Sequence, residues 1–226
     1  ADMDLAVNTA GLGLWLNQGQ CCCASSRIFV HESRYDEFCA RIAEVAKSKP
    51  VGAGYGEDHK TLDGNGKGWP QGPQVSQEQF DSVSGLIAKG VAEGATLAAG
   101  GSRFGDKGYF IEPTVFTDCK DDMTIVKEEI FGPVMSVLKY KDTEEVIKRA
   151  NASNYGLAAS VVSKDFNKAR AIAKRLRAGT VWINCYDTFD AALPFGGFKA
   201  SGIGRELGEA GLAAYTESKT MVIGAQ

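Results

Sequence analysis

Three consecutive cysteines, Cys21, Cys22 and Cys23, form the part of this sequence whose residue types and spacing most clearly suggest chemistry. Neighbouring side chains diverge on a helix and alternate on a strand, so we do not expect the three thiols to converge on one metal ion. A disulfide between adjacent cysteines would violate the strict geometry of that bond. Two alternatives remain: one presented thiol with two packed neighbours, or three packed thiols.

A presented thiol at Cys22 would act as a nucleophile if its surroundings stabilised the thiolate. Gly19 lets the backbone bend just before the cysteines. Backbone N–H groups that point at the sulfur would stabilise both the thiolate and the oxyanion of a carbonyl adduct. The alternative is a buried cysteine that packs as a small hydrophobic side chain. Because the triplet follows a polar, glycine-containing turn, the sequence favours the nucleophile.

A second candidate is the acidic and aromatic stretch at residues 128–133 (EEIFGP). A carboxylate here, such as Glu129, could accept hydrogen bonds from a ribose diol, and Phe131 could cover a flat ring. The alternative is a helix end with exposed acids and a packed phenylalanine, since loops carry many such residues.

Three further stretches are weaker signals. Residues 201–208 (SGIGRELG) approach the dinucleotide-binding fingerprint, but the third glycine falls one residue late, so a tight turn is predicted. Phe189 and Phe195 follow a predicted strand end, where they could line an apolar substrate tunnel or cap the core. Residues 63–68 (DGNGKG) begin like a calcium loop, but Lys67 stands where an oxygen ligand is required. No metal site is predicted.

The bulk properties exclude several classes of protein. Of 226 residues, 44% are hydrophobic and 23% charged, which is typical of a soluble globular protein. A net charge of −3 gives no indication of a nucleic-acid or anionic-membrane partner. Six cysteines without a disulfide pattern, no membrane-length apolar run and no signal peptide predict a cytoplasmic protein.

The elements that must position these residues alternate along the chain. Helices are predicted at residues 3–17, 35–47, 76–93, 123–129, 143–150, 165–176 and 206–215, with Ser76, Thr143 and Asp165 as caps. Strands are predicted at residues 27–31, 95–99, 134–140, 157–163, 180–184 and 218–223, with edge-strand or extended segments on either side of Pro113. This alternation predicts one α/β domain with a mainly parallel sheet and helices on both faces.

The ordered motifs together resemble the catalytic domain of the aldehyde dehydrogenase family. The resemblance rests on residues 18–24 (QGQCCCA), 128–134 (EEIFGPV), 194–202 (PFGGFKASG), 204–208 (GRELG) and 215–220 (YTESKT). It extends over nearly the whole chain. It implies one catalytic-type domain over residues 1–226, with a C-terminal assembly strand and an oligomerisation arm at residues 216–226.

The resemblance also implies a reaction and a set of site residues. Cys22 would attack an aldehyde carbonyl to give a thiohemiacetal, hydride would pass to the nicotinamide of NAD or NADP, and water would hydrolyse the thioester. Glu129 would hold the nicotinamide-side ribose, with Phe131 as its aromatic neighbour. The residues implied for the substrate pocket are Cys21, Cys23, Phe189 and Phe195.

Only the C-terminal part of the family's chain is matched. The dinucleotide-binding half, with its general-base glutamate and oxyanion asparagine, has no corresponding positions, so this half is expected to be absent. We therefore expect the isolated chain to lack full dehydrogenase activity and to form a homo-oligomer or associate with the N-terminal half. The alternative is a truncated, non-catalytic relative that acts as a binding or structural protein through its surface or assembly strand.

Overall fold

The computed structural model describes residues 1–53 and 71–225 of the chain. The α-helices in this part are α1 (Met3–Trp15), α2 (Tyr35–Ser48), α3 (Gln77–Ala92), α4 (Thr124–Lys127), α5 (Thr143–Asn151), α6 (Phe166–Ala173) and α7 (Gly208–Gly211). The strands are β1 (Arg27–His31), β2 (Thr96–Ala99), β3 (Thr114–Thr117), β4 (Val134–Tyr140), β5 (Tyr155–Gly156), β6 (Ala158–Val161), β7 (Thr180–Ile183) and β8 (Phe198–Lys199). The stretch at residues 63–68, for which calcium binding was rejected, lies outside the described residues.

The main sheet has four strands in the order β1-β4-β3-β2. Strand β4 runs parallel to both β1 and β3, and β2 is antiparallel to β3. Strands β6 and β7 form a parallel pair, and β5 and β8 form a short antiparallel pair. The first five residues of β4 are all buried, as expected of a parallel strand covered on both faces. The predicted mainly parallel α/β fold is confirmed.

Helices cover both faces of the main sheet, and alternate residues of the strands divide between them. On one face, Met135 and Val137 of β4 pack with the buried stripes of α1 and α2. On the other, Val134 and Leu138 pack with Phe80 and its neighbours from α3 and with α4. The division follows from the two-residue period of a strand, which sends successive side chains to opposite faces.

Several local predictions need correction. Strand β3 lies inside the sheet between β4 and β2, where an edge strand or an extended segment was expected. Pro113 immediately precedes the strand and removes no ladder hydrogen bond. Helix α5 is capped by Asp142, not Thr143, because the Asp142 carboxylate accepts from the N–H of Glu145 at 2.9 Å. Residues 218–223 form no strand and lie exposed, since they have no strand partner within the described residues.

The C-terminal helix is also shorter than predicted. Residues 206–215 hold only α7 and a 3-10 turn at Leu212–Tyr215. Gly208 and Gly211 stand at the two ends of α7, and glycine is a poor helix former because its backbone loses the most freedom on folding.

One half-buried cation, Arg149, holds α5 against the sheet. The Arg149 guanidinium forms a two-bond pair with Asp121 at 2.7 and 3.0 Å, and it donates to Glu145 and to the carbonyl oxygen of Lys139 at 2.7 Å each. The same group lies over the ring of Phe29, 5.2 Å from its centre. Since every contact fixes the guanidinium plane, Arg149 holds the helix against β1 and β4.

A cleft of about 750 Å³ opens between β1 and β6, and residues of both strands line it along their whole length. Within the described residues, β1 pairs with β4 alone and β6 with β7 alone. Each strand therefore turns an edge with unpaired backbone groups toward the cleft.

Candidate active site

The cysteine turn begins with three successive residues in the left-handed region. Asn17, Gln18 and Gly19 have φ of 51°, 59° and 72° in the 3-10 turn that follows α1. A Cβ on Gly19 would lie 2.0 Å from the carbonyl oxygen of Gly132. Glycine is required here both for its φ and for this backbone approach, which brings the cysteine turn against residues 131–133.

The three thiols converge, contrary to the expectation that they diverge. The sulfur atoms of Cys21, Cys22 and Cys23 all lie within 4.8 Å of one another, and those of Cys21 and Cys23 are 3.4 Å apart. The reason is that the cysteines occupy an irregular turn, so neither the helical nor the strand rule governs their directions. The argument that the three thiols could not bind one metal ion together was therefore wrong.

The thiols differ in exposure. Cys22 is exposed, Cys21 is half-buried and Cys23 is buried. Of the two alternatives left open by the sequence, the arrangement matches one presented thiol with packed neighbours. All three line the cleft between β1 and β6.

Electrostatics at Cys22 favour the protonated thiol. Desolvation by the surrounding protein raises its pKa, and the neighbouring Cys21 raises it further. The backbone N–H groups of Cys22 and Cys23 hydrogen-bond to the sulfur and lower the pKa, but their effect is smaller. The expected N–H groups are thus present, yet burial outweighs them, and a base is needed to generate the nucleophile.

Residues in β7 and just after it contact the cysteine turn. The hydroxyl of Tyr186 donates to the carbonyl oxygen of Cys23 at 2.6 Å, and the Cys23 thiol donates to Asp187 Oδ1 at 3.3 Å. Burial raises the pKa of the Asp187 carboxyl. Trp182 packs on the Tyr186 ring, with centres 4.7 Å apart. Sequence reasoning missed these three residues, although their position at a strand's carboxyl end was an available signal.

The two aromatic residues predicted for the substrate pocket, Phe189 and Phe195, form one cluster with Trp182. Phe189 meets Trp182 and Phe195 edge to face, with ring centres 5.6 and 5.2 Å apart. Phe195 also packs against the buried cluster of Cys23, Trp182 and Tyr186. The structure therefore brings both phenylalanines to the cluster that contains Cys23, but neither is among the residues that line the β1–β6 cleft.

Glu129 and Phe131 line the same cleft as Cys22. The Glu129 side chain is exposed and makes no hydrogen bond or ion pair with any part of the chain that the structure describes. Phe131 is 39% exposed and has φ of 52°, and Gln79 Nε2 donates to its carbonyl oxygen at 2.7 Å. A free carboxylate and a fixed, exposed ring can serve as an acceptor for a diol and as a cover for a planar group.

No helix within residues 1–53 and 71–225 is long and apolar enough to cross a membrane.

The site joins an exposed thiol, a free carboxylate and an exposed aromatic ring along one cleft, with a second aromatic group behind the thiol. Such an arrangement can form a covalent adduct with an electrophilic carbonyl beside a bound planar ligand.

Comparison with known proteins identifies close relatives of this arrangement. The chain is 57% identical over 223 residues to the mitochondrial aldehyde dehydrogenase of Mesocricetus auratus, which covers 99% of this chain and 43% of the relative. It is 54% identical to the mitochondrial benzaldehyde dehydrogenase of Antirrhinum majus, over 98% of this chain and 40% of the relative. The chain thus spans about two-fifths of the length of these relatives. Both relatives are named as mitochondrial enzymes, so the cytoplasmic location expected for this chain stays a prediction.

Solved structures agree in fold. The NAD+ complex of an aldehyde dehydrogenase from Bacillus cereus matches with a TM-score of 0.89 and 50% identity, over 96% of this chain and 42% of that one. A betaine aldehyde dehydrogenase from Staphylococcus aureus in complex with NAD+ matches with a TM-score of 0.87 and 41% identity, over 95% of this chain and 41% of that one. The model of the aldehyde dehydrogenase family matches residues 1–221. The resemblance read from the motifs is confirmed, and this chain belongs to the aldehyde dehydrogenase family.

Proposed function

We propose that this chain is the catalytic part of an NAD(P)-dependent aldehyde dehydrogenase, which oxidises aldehydes to carboxylic acids through an adduct on Cys22. The observation that carries the proposal is the position of one exposed thiol, with backbone N–H groups at its sulfur, on the cleft that Glu129 and Phe131 also line. The proposed nucleophile and the two residues suited to bind a cofactor therefore line the same cleft.

In the proposed reaction, the Cys22 sulfur loses its proton to a base and attacks the aldehyde carbon, giving a thiohemiacetal. Backbone N–H groups at the turn are placed to stabilise the negative charge that develops during attack. Conversion of the thiohemiacetal to a thioester removes a hydride, for which a bound nicotinamide would supply the acceptor, and hydrolysis of that thioester by water would release the carboxylic acid and return the thiol. Because burial raises the pKa of Cys22, the first step depends on an added base. Cys21 and Cys23 pack beside the nucleophile, and Phe189 and Phe195 would bound an apolar substrate.

The residues present fit one end of a dinucleotide. Glu129 has an exposed carboxylate, unpaired within the described part of the chain, that would accept hydrogen bonds from a ribose diol. Phe131 presents a ring that would lie against the sugar or the nicotinamide. The cofactor would supply the hydride acceptor. What these two residues contribute is the placement of that acceptor on the same side of the turn as Cys22.

The dinucleotide-binding half that the family resemblance implies would pack into the β1–β6 cleft. Within the described residues both strands turn unpaired edges toward this space, and a further strand could pair with one of them and leave the part of the cleft at Cys22 open. The base and the second oxyanion donor would come from that half, so we expect the isolated chain to be poorly active.

Reconstitution tests the proposal. The chain is mixed with a separately produced dinucleotide-binding half of a close relative, NAD+ and a simple aldehyde, and NADH is followed by absorbance. We expect NADH only when both parts are present, and none with Cys22→Ser. The matched control is Cys39→Ser, which removes a half-buried thiol outside the site and is expected to preserve the rate. Undiminished NADH formation by Cys22→Ser would refute the role of this thiol.

A second candidate, a binding role through the C-terminal arm (residues 216–226), is favoured by one observation. Met221, Val222 and Ile223 are 76%, 87% and 84% exposed, so three consecutive apolar side chains have no cover within the described part of the chain. The arm would pair with another copy of the chain. Light scattering tests this: an oligomer that survives deletion of residues 216–226 would contradict it.

A further inference from the structure

The convergence of Cys21, Cys22 and Cys23 creates a group of potential metal ligands, which has no role in the proposed aldehyde reaction. Within the described residues, these thiols are a group of three potential ligands whose sulfur atoms all lie within 4.8 Å of one another. One sulfur is exposed at the cleft and two are packed behind it. An ion from solvent can therefore reach the cluster without unfolding the turn.

The sulfur spacing suits a small thiophilic ion. Zinc binds thiolates at about 2.3 Å in a tetrahedron, which places the sulfurs about 3.8 Å apart. The observed separations, 3.4 Å for Cys21 and Cys23 and at most 4.8 Å within the cluster, bracket that value.

The Asp187 carboxylate is a candidate fourth ligand, because it lies beside the buried Cys23 sulfur, although it is not one of the three mutually close ligand groups. Asp187 Oδ1 accepts from the Cys23 thiol at 3.3 Å, while Asp187 Oδ2 is buried and has no hydrogen-bond partner within the described residues. A buried carboxylate oxygen without a partner is costly unless something occupies it. A cation bound at the Cys23 sulfur would lie next to this carboxylate, and carboxylate is an ordinary zinc ligand.

We propose that Cys21, Cys22, Cys23 and Asp187 bind one thiophilic divalent cation of the zinc class. Thiolate-rich sites select such ions over magnesium or calcium, which prefer oxygen ligands. On binding, each ligating thiol releases its proton to solvent and forms one bond to the ion, and no oxidant is required. Occupancy would withdraw Cys22 from reaction with carbonyls, so a thiophilic metal would block the nucleophile reversibly. Binding itself requires neither an aldehyde nor a nicotinamide and is independent of the proposed function.

Titration of the reduced chain with Cd²⁺, followed by thiolate-to-cadmium ultraviolet absorption, tests the site. We expect saturation at one Cd²⁺ per chain, displacement by Zn²⁺ and no displacement by Mg²⁺. Cys21→Ser and Cys23→Ser are each expected to weaken binding at least about tenfold, as loss of even a supporting group around a bound metal does. Cys39→Ser is the matched control and is expected to bind like the unaltered chain. Wild-type affinity in both cluster variants would overturn the proposal.

A second readout uses the unaltered chain and does not depend on how well a variant folds. Cys22 is alkylated with iodoacetamide and quantified by peptide mass spectrometry, with and without one equivalent of Cd²⁺. We expect Cd²⁺ to protect Cys22 and to leave the labelling of Cys39 unchanged. Equal labelling of Cys22 in both samples would refute the site. Asp187→Asn tests the fourth ligand: an unchanged Cd²⁺ affinity would remove the carboxylate from the proposed set.

Discussion

Replacement of Gly19 by alanine probes the contact that holds the cysteine turn against residues 131–133. Two costs arise together at this position. An alanine at φ of 72° would adopt the left-handed backbone conformation, which is unfavourable for any residue with a Cβ. Its Cβ would also lie 2.0 Å from the carbonyl oxygen of Gly132, a backbone atom that no side-chain rotation can move. The penalty for φ is about 1–2 kcal/mol and overpacking adds about 1–3 kcal/mol, so Gly19→Ala is expected to lower the free energy of unfolding by about 2–5 kcal/mol.

Two other glycines separate these costs. Gly94 has φ of 88° but no atom within 4 Å of an added Cβ, so Gly94→Ala is expected to cost only about 1–2 kcal/mol. Gly85 lies exposed in α3, also with open space around it, and Gly85→Ala is expected to stabilise by about 0.5–1 kcal/mol because alanine favours a helix. The series thus distinguishes backbone conformation from steric contact.

Urea unfolding of the three variants and the unaltered chain measures these differences. The rate of Cys22 alkylation is followed in the same samples, since a displaced turn changes the exposure of the thiol. If Gly19→Ala and Gly94→Ala lost the same free energy within about 0.5 kcal/mol, the close approach to Gly132 would contribute nothing and our account of the turn would be wrong.

Three further outcomes are expected. Alkylation of Cys22 should keep accelerating with pH beyond the ordinary thiol pKa, because burial and the adjacent thiol raise its pKa and so reduce the thiolate fraction at neutral pH; a plateau in the iodoacetamide rate below about pH 8.5 would contradict this. Arg149→Met should cost about 1.5–3 kcal/mol in urea unfolding, since it removes bonds to two carboxylates and a carbonyl group. The exposed ion pair lost in Arg175→Met should cost no more than about 1 kcal/mol, and equal losses would refute burial as the cause. Tyr186→Phe removes the donor to a buried carbonyl group and should cost about 1–3 kcal/mol and alter Cys22 alkylation. Tyr155→Phe, with an exposed ring, should stay within about 0.5 kcal/mol, so indistinguishable stabilities would count against the hydrogen bond.

Elements with a strong repeating pattern were predictable from the sequence. The strand at residues 134–140 was placed to the residue, and the helix predicted at residues 35–47 forms as Tyr35–Ser48. Both are encoded by neighbouring residues, because burial alternates along a strand and recurs each turn along a helix. Ser76 and Asp165 are confirmed as caps, since a cap acts on an N–H group three residues away.

Features that depend on distant partners were predicted less well. The strand expected at residues 218–223 is not formed, because a strand requires a partner that the sequence of the segment does not specify. The residues of strand β3 were expected to form an edge strand or an extended segment because of Pro113, whereas pairing with β4 and β2 places them inside the sheet. Asp187 was missed because it meets Cys23 across 164 positions of the chain.

The sequence by itself determined the family and the order of most elements, and through the family resemblance it predicted Cys22 as the nucleophile. It did so because residue types and local spacing carry that information directly. Only the tertiary structure decided that Cys21, Cys22 and Cys23 converge, that Cys22 is the exposed one, and that its pKa is raised. Those properties depend on the left-handed turn before the cysteines and on the desolvation imposed by surrounding segments, and neither is a property of adjacent residues alone.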